Sequence, residues 1–149
     1  MVQQAVAQII ERDLLKLKEE LLLYTNEEVV WHTAKGISNS AGNLCLHLIG
    51  NLNHFIGATL GGTGYVRNRP AEFETKYVPR ETLLKEIDNT LAIVKNTMQQ
   101  VTDEELQKEF PLELAGKKYL TGFFLLHLTT HLSYHLGQIN YHRRLLAAA

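Results

Sequence analysis

The sequence predicts an all-α protein built as a four-helix bundle, and three observations support this fold class. Four segments of about 20 to 28 residues carry apolar side chains at helical spacing, with charged residues between them. The apolar/polar alternation of β-strands is negligible. The chain has 149 residues, of which 45% are hydrophobic, which suits a single domain over residues 1–149. Packing four such helices together buries their apolar stripes.

The first predicted helix runs from Val2 to Tyr24, and the short connection after it contains Trp31, an expected core residue. Ser40 is among the candidate N-caps of a second helix that extends to about Leu60. The loop that follows is expected to be too irregular for a helix. The remaining predicted segments are this loop (Tyr65 to Pro79), a third helix (Arg80 to Val101), a short turn (Thr102 to Glu105), a brief extended piece between Pro111 and Gly116, and a fourth helix (Tyr119 to Leu146).

The composition indicates which classes of binding partner and which cellular compartment to expect. Charged residues make up 21% of the chain and the net charge is −1, so no nucleic-acid partner is expected. The sequence contains neither an apolar run of about 18 residues nor a signal-peptide pattern. Cys45 is the single cysteine, which favours a reducing cytoplasm and a buried, inert thiol.

The fourth predicted helix contains four of the seven histidines, His127, His131, His135 and His142. Residues four apart lie one turn above each other on the same face of a helix. The first three therefore form a stripe of imidazoles, which is typical of metal ligands. On a helical wheel of about 100° per residue, His131 and His135 lie closer to the apolar arc than His127 does.

On the second predicted helix, His47 occupies the equivalent margin, so both helices carry imidazoles where a bundle core meets a cleft. Three neutral imidazoles suit Zn²⁺, Ni²⁺, Fe²⁺, Co²⁺ or Cu²⁺. Such a site keeps at least one coordination position open for water or a thiol. Asn51, Gln138 or backbone carbonyls could accept hydrogen bonds from the remaining ring N–H groups.

Other interpretations remain for several of these residues. Taken singly, His32, His54 and His142 are expected to be packed at a helix edge rather than to bind a ligand. Position 132 is leucine, so the H-E-x-x-H motif of zinc proteases is absent. Ser133 has no Ser-His-Asp context, which argues against a hydrolase triad.

Two phrases of the sequence resemble the DinB/YfiT-like superfamily. The first, His131-Leu-Ser-Tyr-His135-Leu-Gly137-Gln138, resembles the H-x-x-x-H-x-G-Q signature in the last long helix of that superfamily. The second runs from Asn39-Ser40 through His47-Leu48-Ile49-Gly50-Asn51 to Arg67-Asn68-Arg69 and Glu72-Phe73, and resembles a subgroup of uncharacterised bacterial proteins. The similarity covers almost the whole chain.

This resemblance implies an up-down-down-up four-helix bundle, often a homodimer, with a divalent metal held by three histidines. Carried over residue by residue, the ligands are His47, His131 and His135, while His54 and His127 remain alternatives. Nickel or zinc is the expected ion, and iron, cobalt, copper and manganese stay open.

Members of known activity resemble thiol-dependent S-transferases or isomerases that use bacillithiol, mycothiol or glutathione, while others were first noticed as stress-induced proteins. The first hypothesis is thus a metal-dependent enzyme, a thiol S-transferase or a related hydrolase. Arg67 and Arg69 could receive carboxylates of the thiol, although a solvated loop paired with Glu72 and Glu74 is the favoured interpretation. The alternative function is a non-catalytic metal-binding or stress-related bundle protein, with or without a retained metal.

Overall fold

The computed structural model describes residues 1–147, and within this range the chain is all-helical apart from isolated β-bridges. A 3₁₀ turn spans Glu27–Trp31, and a π-helical segment, Asn53–Ala58, directly follows the second helix. None of the helices in the described range is long and apolar enough to cross a bilayer. The α-helices are α1 (Val2–Leu23), α2 (Ala41–Leu52), α3 (Arg69–Glu74), α4 (Arg80–Gln100), α5 (Asp103–Leu106) and α6 (Thr121–Leu146).

The four long helices share one apolar core. Helix α1 packs against α4 and α6, and α2 packs against the same two helices. Helices α1 and α4 run in opposite directions, because Lys18 pairs with Asp88 whereas Glu11 pairs with Lys95. The core includes Trp31 and Cys45, which are 5% and 0% exposed, so both are buried as predicted.

The second helix is less regular than predicted. Beyond Leu52 its backbone bonds span five residues: Thr59 N donates to His54 O at 3.1 Å, and Gly61 N donates to Ile56 O at 2.9 Å. A wheel of about 100° per residue assumes α-helical geometry. The predicted regular helix therefore does not continue to Leu60, and residues after Leu52 do not follow that wheel. The π segment packs against α4 and also contacts α6 through Phe55, whose ring centroid lies 5.0 Å from that of Phe124.

The segment Tyr65 to Pro79 was predicted to be too irregular for a helix, and this prediction is wrong. It contains the one-and-a-half-turn helix α3, which packs against α2. Asn68 caps α3 by accepting a hydrogen bond from Ala71 N at 3.2 Å, and Pro70 lies in the first turn. Both are established helix-start signals, so local capping together with packing on α2 compensates for the short length.

The segment between α4 and α6 follows the prediction in part. The predicted turn after Val101 is α5, which begins with a complete capping box formed by Thr102 and Glu105. The predicted extended piece is reduced to a tight turn in which Leu114 and Lys117 exchange backbone hydrogen bonds of 2.7 and 3.1 Å. Gly116 adopts a φ of 79° there, a conformation that glycine reaches without strain.

Candidate metal centre

Helix α2 positions His47 in a largely buried wall of the bundle. The helix begins at the N-cap Ser40, whose hydroxyl accepts a hydrogen bond from Asn43 N at 3.1 Å. His47 lies two turns into the helix and is only 6% exposed. Its ring stacks at a tilt on Phe73 of α3, with ring centroids 4.9 Å apart. Burial and the contact with Phe73 therefore restrict the His47 side chain before any ligand is considered.

Helix α6 brings His131 and His135 to the same point. The Nε2 atom of His131 lies 3.1 Å from Nε2 of His47 and 3.2 Å from Nε2 of His135. Within residues 1–147, these three side chains form the group whose potential ligand atoms all lie within 4.8 Å of one another. The structure thus brings together the three histidines that the sequence analysis selected, and the group could hold a metal ion.

The Nδ1 atoms of His47 and His135 face acceptor groups. His47 Nδ1 lies 3.0 Å from the Glu72 carboxylate, and His135 Nδ1 lies 2.7 Å from the Gln138 side-chain oxygen. Both partners are acceptors, so we assign the proton of each ring to Nδ1, which leaves a lone pair on both Nε2 atoms. The guanidinium of Arg67 also lies near His47 Nδ1, with Nη2 at 3.3 Å, but its shorter contacts are with the Glu72 carboxylate. Among the predicted acceptors, Gln138 is placed as expected.

Burial keeps the imidazoles of His47 and His131 neutral. Burial and, after it, the neighbouring imidazoles of His135 and His47 lower the pKa of His131 to about 3. Burial also lowers the pKa of His47, although the Glu72 carboxylate opposes this shift. Both imidazoles are therefore neutral near pH 7, which is the form that binds a metal ion.

The protein does not provide hydrogen-bond partners for all the nitrogens of these three imidazoles. Within the described residues, His131 Nδ1 and Asn51 Oδ1 are buried without a hydrogen-bond partner, so Asn51 does not supply the predicted hydrogen bond. If His131 carries its proton on Nε2, it can donate to one neighbouring imidazole while its buried Nδ1 lacks a donor. If the proton is on Nδ1, three lone pairs face one another. A cation between the three Nε2 atoms would remove that repulsion.

The separations also match what a metal ion requires. Zinc–nitrogen bonds of about 2.0–2.1 Å at tetrahedral angles place two ligand nitrogens about 3.3 Å apart. Octahedral coordination at about 2.1 Å would place neighbouring nitrogens about 3.0 Å apart. The observed 3.1 and 3.2 Å fall between these values. The donor set therefore fits a divalent ion of this size without selecting one element.

The chain belongs to the DUF1572 family. The model of this family, described as a protein of unknown function, matches residues 3–149. None of the curated proteins matches the chain. Membership therefore assigns no activity, and the geometry of the histidine centre is the basis on which a function can be inferred.

The remaining candidate histidines of this DUF1572 chain lie outside the centre. Neither His54 nor His127 belongs to the three-residue group. The ring of His127 lies 6.4 Å from that of His131, and His54 packs against Phe55. His142 is buried and hydrogen-bonded to protein on both nitrogens, which agrees with its predicted structural role.

The sequence analysis missed the role of Glu72 and underestimated Arg67. Arg67 pairs with Glu72 as predicted, but the pair is buried against His47 rather than solvated. Arg69 is exposed and lies over the Phe73 ring at 5.3 Å. Residue spacing could not reveal Glu72, because it lies 25 residues from His47 on a different helix. The capping signals of α3 were the available clue.

Proposed function

We propose that this chain is a DinB/YfiT-like protein whose His47, His131 and His135 hold one divalent metal ion, nickel or zinc in the first instance. The observation that carries the proposal is the convergence of three Nε2 atoms, with separations of 3.1 and 3.2 Å. The up-down-down-up bundle topology is part of the same proposal. It is supported by the antiparallel pairing of α1 with α4 and by the contacts among the four long helices.

The metal can be tested directly. Apo-protein is dialysed against Ni²⁺ or Zn²⁺, and bound metal is measured by elemental analysis. A centre of this kind binds about one ion per chain, as for other single-ion histidine sites. His47→Ala is expected to abolish binding, and His127→Ala is the matched control. Retention of the ion by His47→Ala would contradict the proposal.

We further propose that the centre is catalytic and transfers a low-molecular-weight thiol to an electrophile. A divalent ion with three imidazole ligands supplies acidification of a thiol or water at its open position. Three protein ligands rather than four favour this use, because structural sites are closed by a fourth ligand. Phe73 packs on His47 and offers apolar surface to an organic electrophile next to the centre.

The activity test uses a haloaromatic electrophile with bacillithiol, mycothiol or glutathione. In the reaction the thiol sulfur bonds to the ring carbon, the halide departs with its electron pair, and the thiol proton passes to solvent. Metal-loaded wild type is expected to turn over faster than His131→Ala. Equal rates with all three thiols would leave the alternative, a non-catalytic metal-binding or stress-related protein.

A homodimer in the reducing cytoplasm is the proposed physiological form. Exposed apolar residues along α6 support self-association: Leu120, Phe123, Leu126, Tyr134, Tyr141 and Leu145. Light scattering coupled to size exclusion should give twice the chain mass. Tyr134→Glu and Tyr141→Glu together are expected to return it to one chain mass, and a wild-type monomer would contradict the dimer.

A further inference from the structure

Glu72 makes a short polar contact between the histidine centre and the segment that connects the π helix to α4, next to the stacking contact of Phe73 on His47. One of its carboxylate oxygens lies 3.0 Å from His47 Nδ1. Arg67 binds the same carboxylate with two nitrogens, Nε at 2.8 Å and Nη2 at 3.0 Å. The side chains of Arg67 and Glu72 are only 12% and 7% exposed. This is a bidentate ion pair removed from water, placed directly on a proposed ligand.

Stability alone does not account for such a pair. Desolvation of two buried charges usually offsets most of their mutual attraction, so a buried ion pair adds little net stability. The surrounding structure nevertheless holds it in place. Asn43 donates to the backbone carbonyls of Glu72 and Thr75 at 2.9 and 2.8 Å. Gly50 faces the carboxylate so closely that any Cβ at this position would overlap it.

We propose that Glu72, oriented by Arg67, is a positioning residue that couples metal binding to the docking of residues 65–78 on α2. This inference rests on the proposed metal centre. The carboxylate accepts the Nδ1 proton of His47, which leaves Nε2 free and directed at His131. A carboxylate hydrogen-bonded to a ligand imidazole fixes its orientation and makes it a better donor.

The coupling acts in both directions. If the docked segment strengthens metal binding, then metal binding must stabilise the docked segment by the same factor. The segment also forms one side of a cavity of about 430 Å³ lined by Tyr65, Val66 and Glu72 together with residues of α4. Metal occupancy would therefore also stabilise the wall of this cavity.

The first test measures metal affinity rather than activity. Co²⁺ is titrated into apo-protein and followed by its visible absorption, and Zn²⁺ affinity is obtained by competition with a chelator. Glu72→Gln keeps the size of the side chain but removes its charge, and we expect Zn²⁺ affinity to fall about 10- to 100-fold. Glu74→Gln, an exposed neighbour on α3, is the matched control and should bind as wild type does.

Two further variants disturb the position of the Glu72 carboxylate without removing its charge. Arg67→Lys retains the charge but loses the bidentate fork, and it should weaken Zn²⁺ binding less than Glu72→Gln does. Gly50→Ala displaces the carboxylate without changing any charge and should also weaken binding. If Glu72→Gln lowers only the apo melting temperature and leaves Zn²⁺ affinity unchanged, Glu72 is merely structural and the inference is overturned.

The second test is hydrogen exchange of the backbone amides of residues 65–78, with and without Zn²⁺. In wild type, Zn²⁺ should slow exchange in this segment, and in Glu72→Gln the slowing should be largely lost. Slowing of the same size in both proteins would overturn the coupling. A wild type that binds neither Co²⁺ nor Zn²⁺ would instead refute the proposed metal centre, and the inference would fall with it.

Discussion

Helix α6 carries two histidine environments, one buried at His142 and one half-buried at His131 and His135, which differ in what their ring nitrogens contact. At the C-terminal end, His142 Nε2 donates to the His32 carbonyl at 2.8 Å and Nδ1 accepts from the Tyr24 hydroxyl at 2.6 Å. Two to three turns earlier, His131 and His135 direct Nε2 atoms at each other and at a third imidazole. At His142, both ring nitrogens have hydrogen-bond partners in the protein. At His131 and His135, the Nε2 atoms converge with that of His47 on one point where an ion could bind.

This comparison shows that burial and spacing do not by themselves identify a ligand. Burial lowers the pKa of both His142 and His131. Both residues also lie along the inner side of the same helix. The partners of the nitrogens separate them, because a histidine with two protein hydrogen bonds has no lone pair left for an ion.

The largest expected effect is the loss of metal-dependent stabilisation in His131→Ala. At a Zn²⁺ concentration of about 1,000 times Kd, binding adds about 4 kcal/mol to the free energy of unfolding. For a chain of this size that corresponds to a rise in Tm of about 8–16 °C. His131→Ala should lose most of this rise in differential scanning calorimetry. A full rise in the variant would place the ion elsewhere.

The reverse pattern is expected for His142→Ala. This change leaves the buried Tyr24 hydroxyl and the His32 carbonyl without partners and removes packed volume. We expect the apo-protein to lose about 2–4 kcal/mol in urea-induced unfolding. The Zn²⁺-dependent rise in Tm should remain. Loss of the rise together with near-normal apo stability would mean that the two environments have been assigned the wrong way round.

The long helices could be predicted from the sequence, because the helical spacing of their apolar residues marks the face that is buried in the core. The sequence was also sufficient for His47, His131 and His135, since two lie four residues apart on one helix and the resemblance added the third. The π segment after Leu52 escaped prediction because i→i+5 hydrogen bonds leave no residue-type signal. Glu72 escaped prediction because its contact with His47 depends on tertiary packing.

A smaller effect is expected on the pH dependence of apo stability. In the fold, His142 Nε2–H donates to the His32 carbonyl and Nδ1 accepts from the Tyr24 hydroxyl, so a second proton on Nδ1 would face that hydroxyl. Burial lowers the folded-state pKa of His142 below the unfolded value of about 6.5. Stability is therefore complete above about pH 6.5 and declines as the pH falls below it, because the unfolded chain binds the proton more readily.

The matched variant for this prediction is His142→Gln, which can form hydrogen bonds but does not titrate. Urea unfolding at a series of pH values between 7 and 5, with a chelator present, should give a shallower decline for the variant. Some decline should remain, because burial also lowers the pKa of His47 and His131. An identical decline in both proteins would show that His142 does not contribute.

The smallest effects are expected from His54→Ala and His127→Ala. Both residues lie outside the three-nitrogen group, so Zn²⁺ affinity should change by less than about threefold, which corresponds to under about 0.7 kcal/mol. Isothermal titration of each apo-variant measures this. A loss as large as that of His131→Ala in either variant would make that histidine a fourth ligand and would favour a closed, structural site.

The most direct test of the central claim is a crystal structure of the Zn²⁺- or Ni²⁺-loaded protein, with the ion located by anomalous scattering. We predict one anomalous peak per chain, about 2.0–2.2 Å from the Nε2 atoms of His47, His131 and His135. The Nδ1 atoms of His47 and His135 should still contact Glu72 and Gln138. A peak bound through Nδ1, a peak at His142, or no peak among the three histidines would contradict the account.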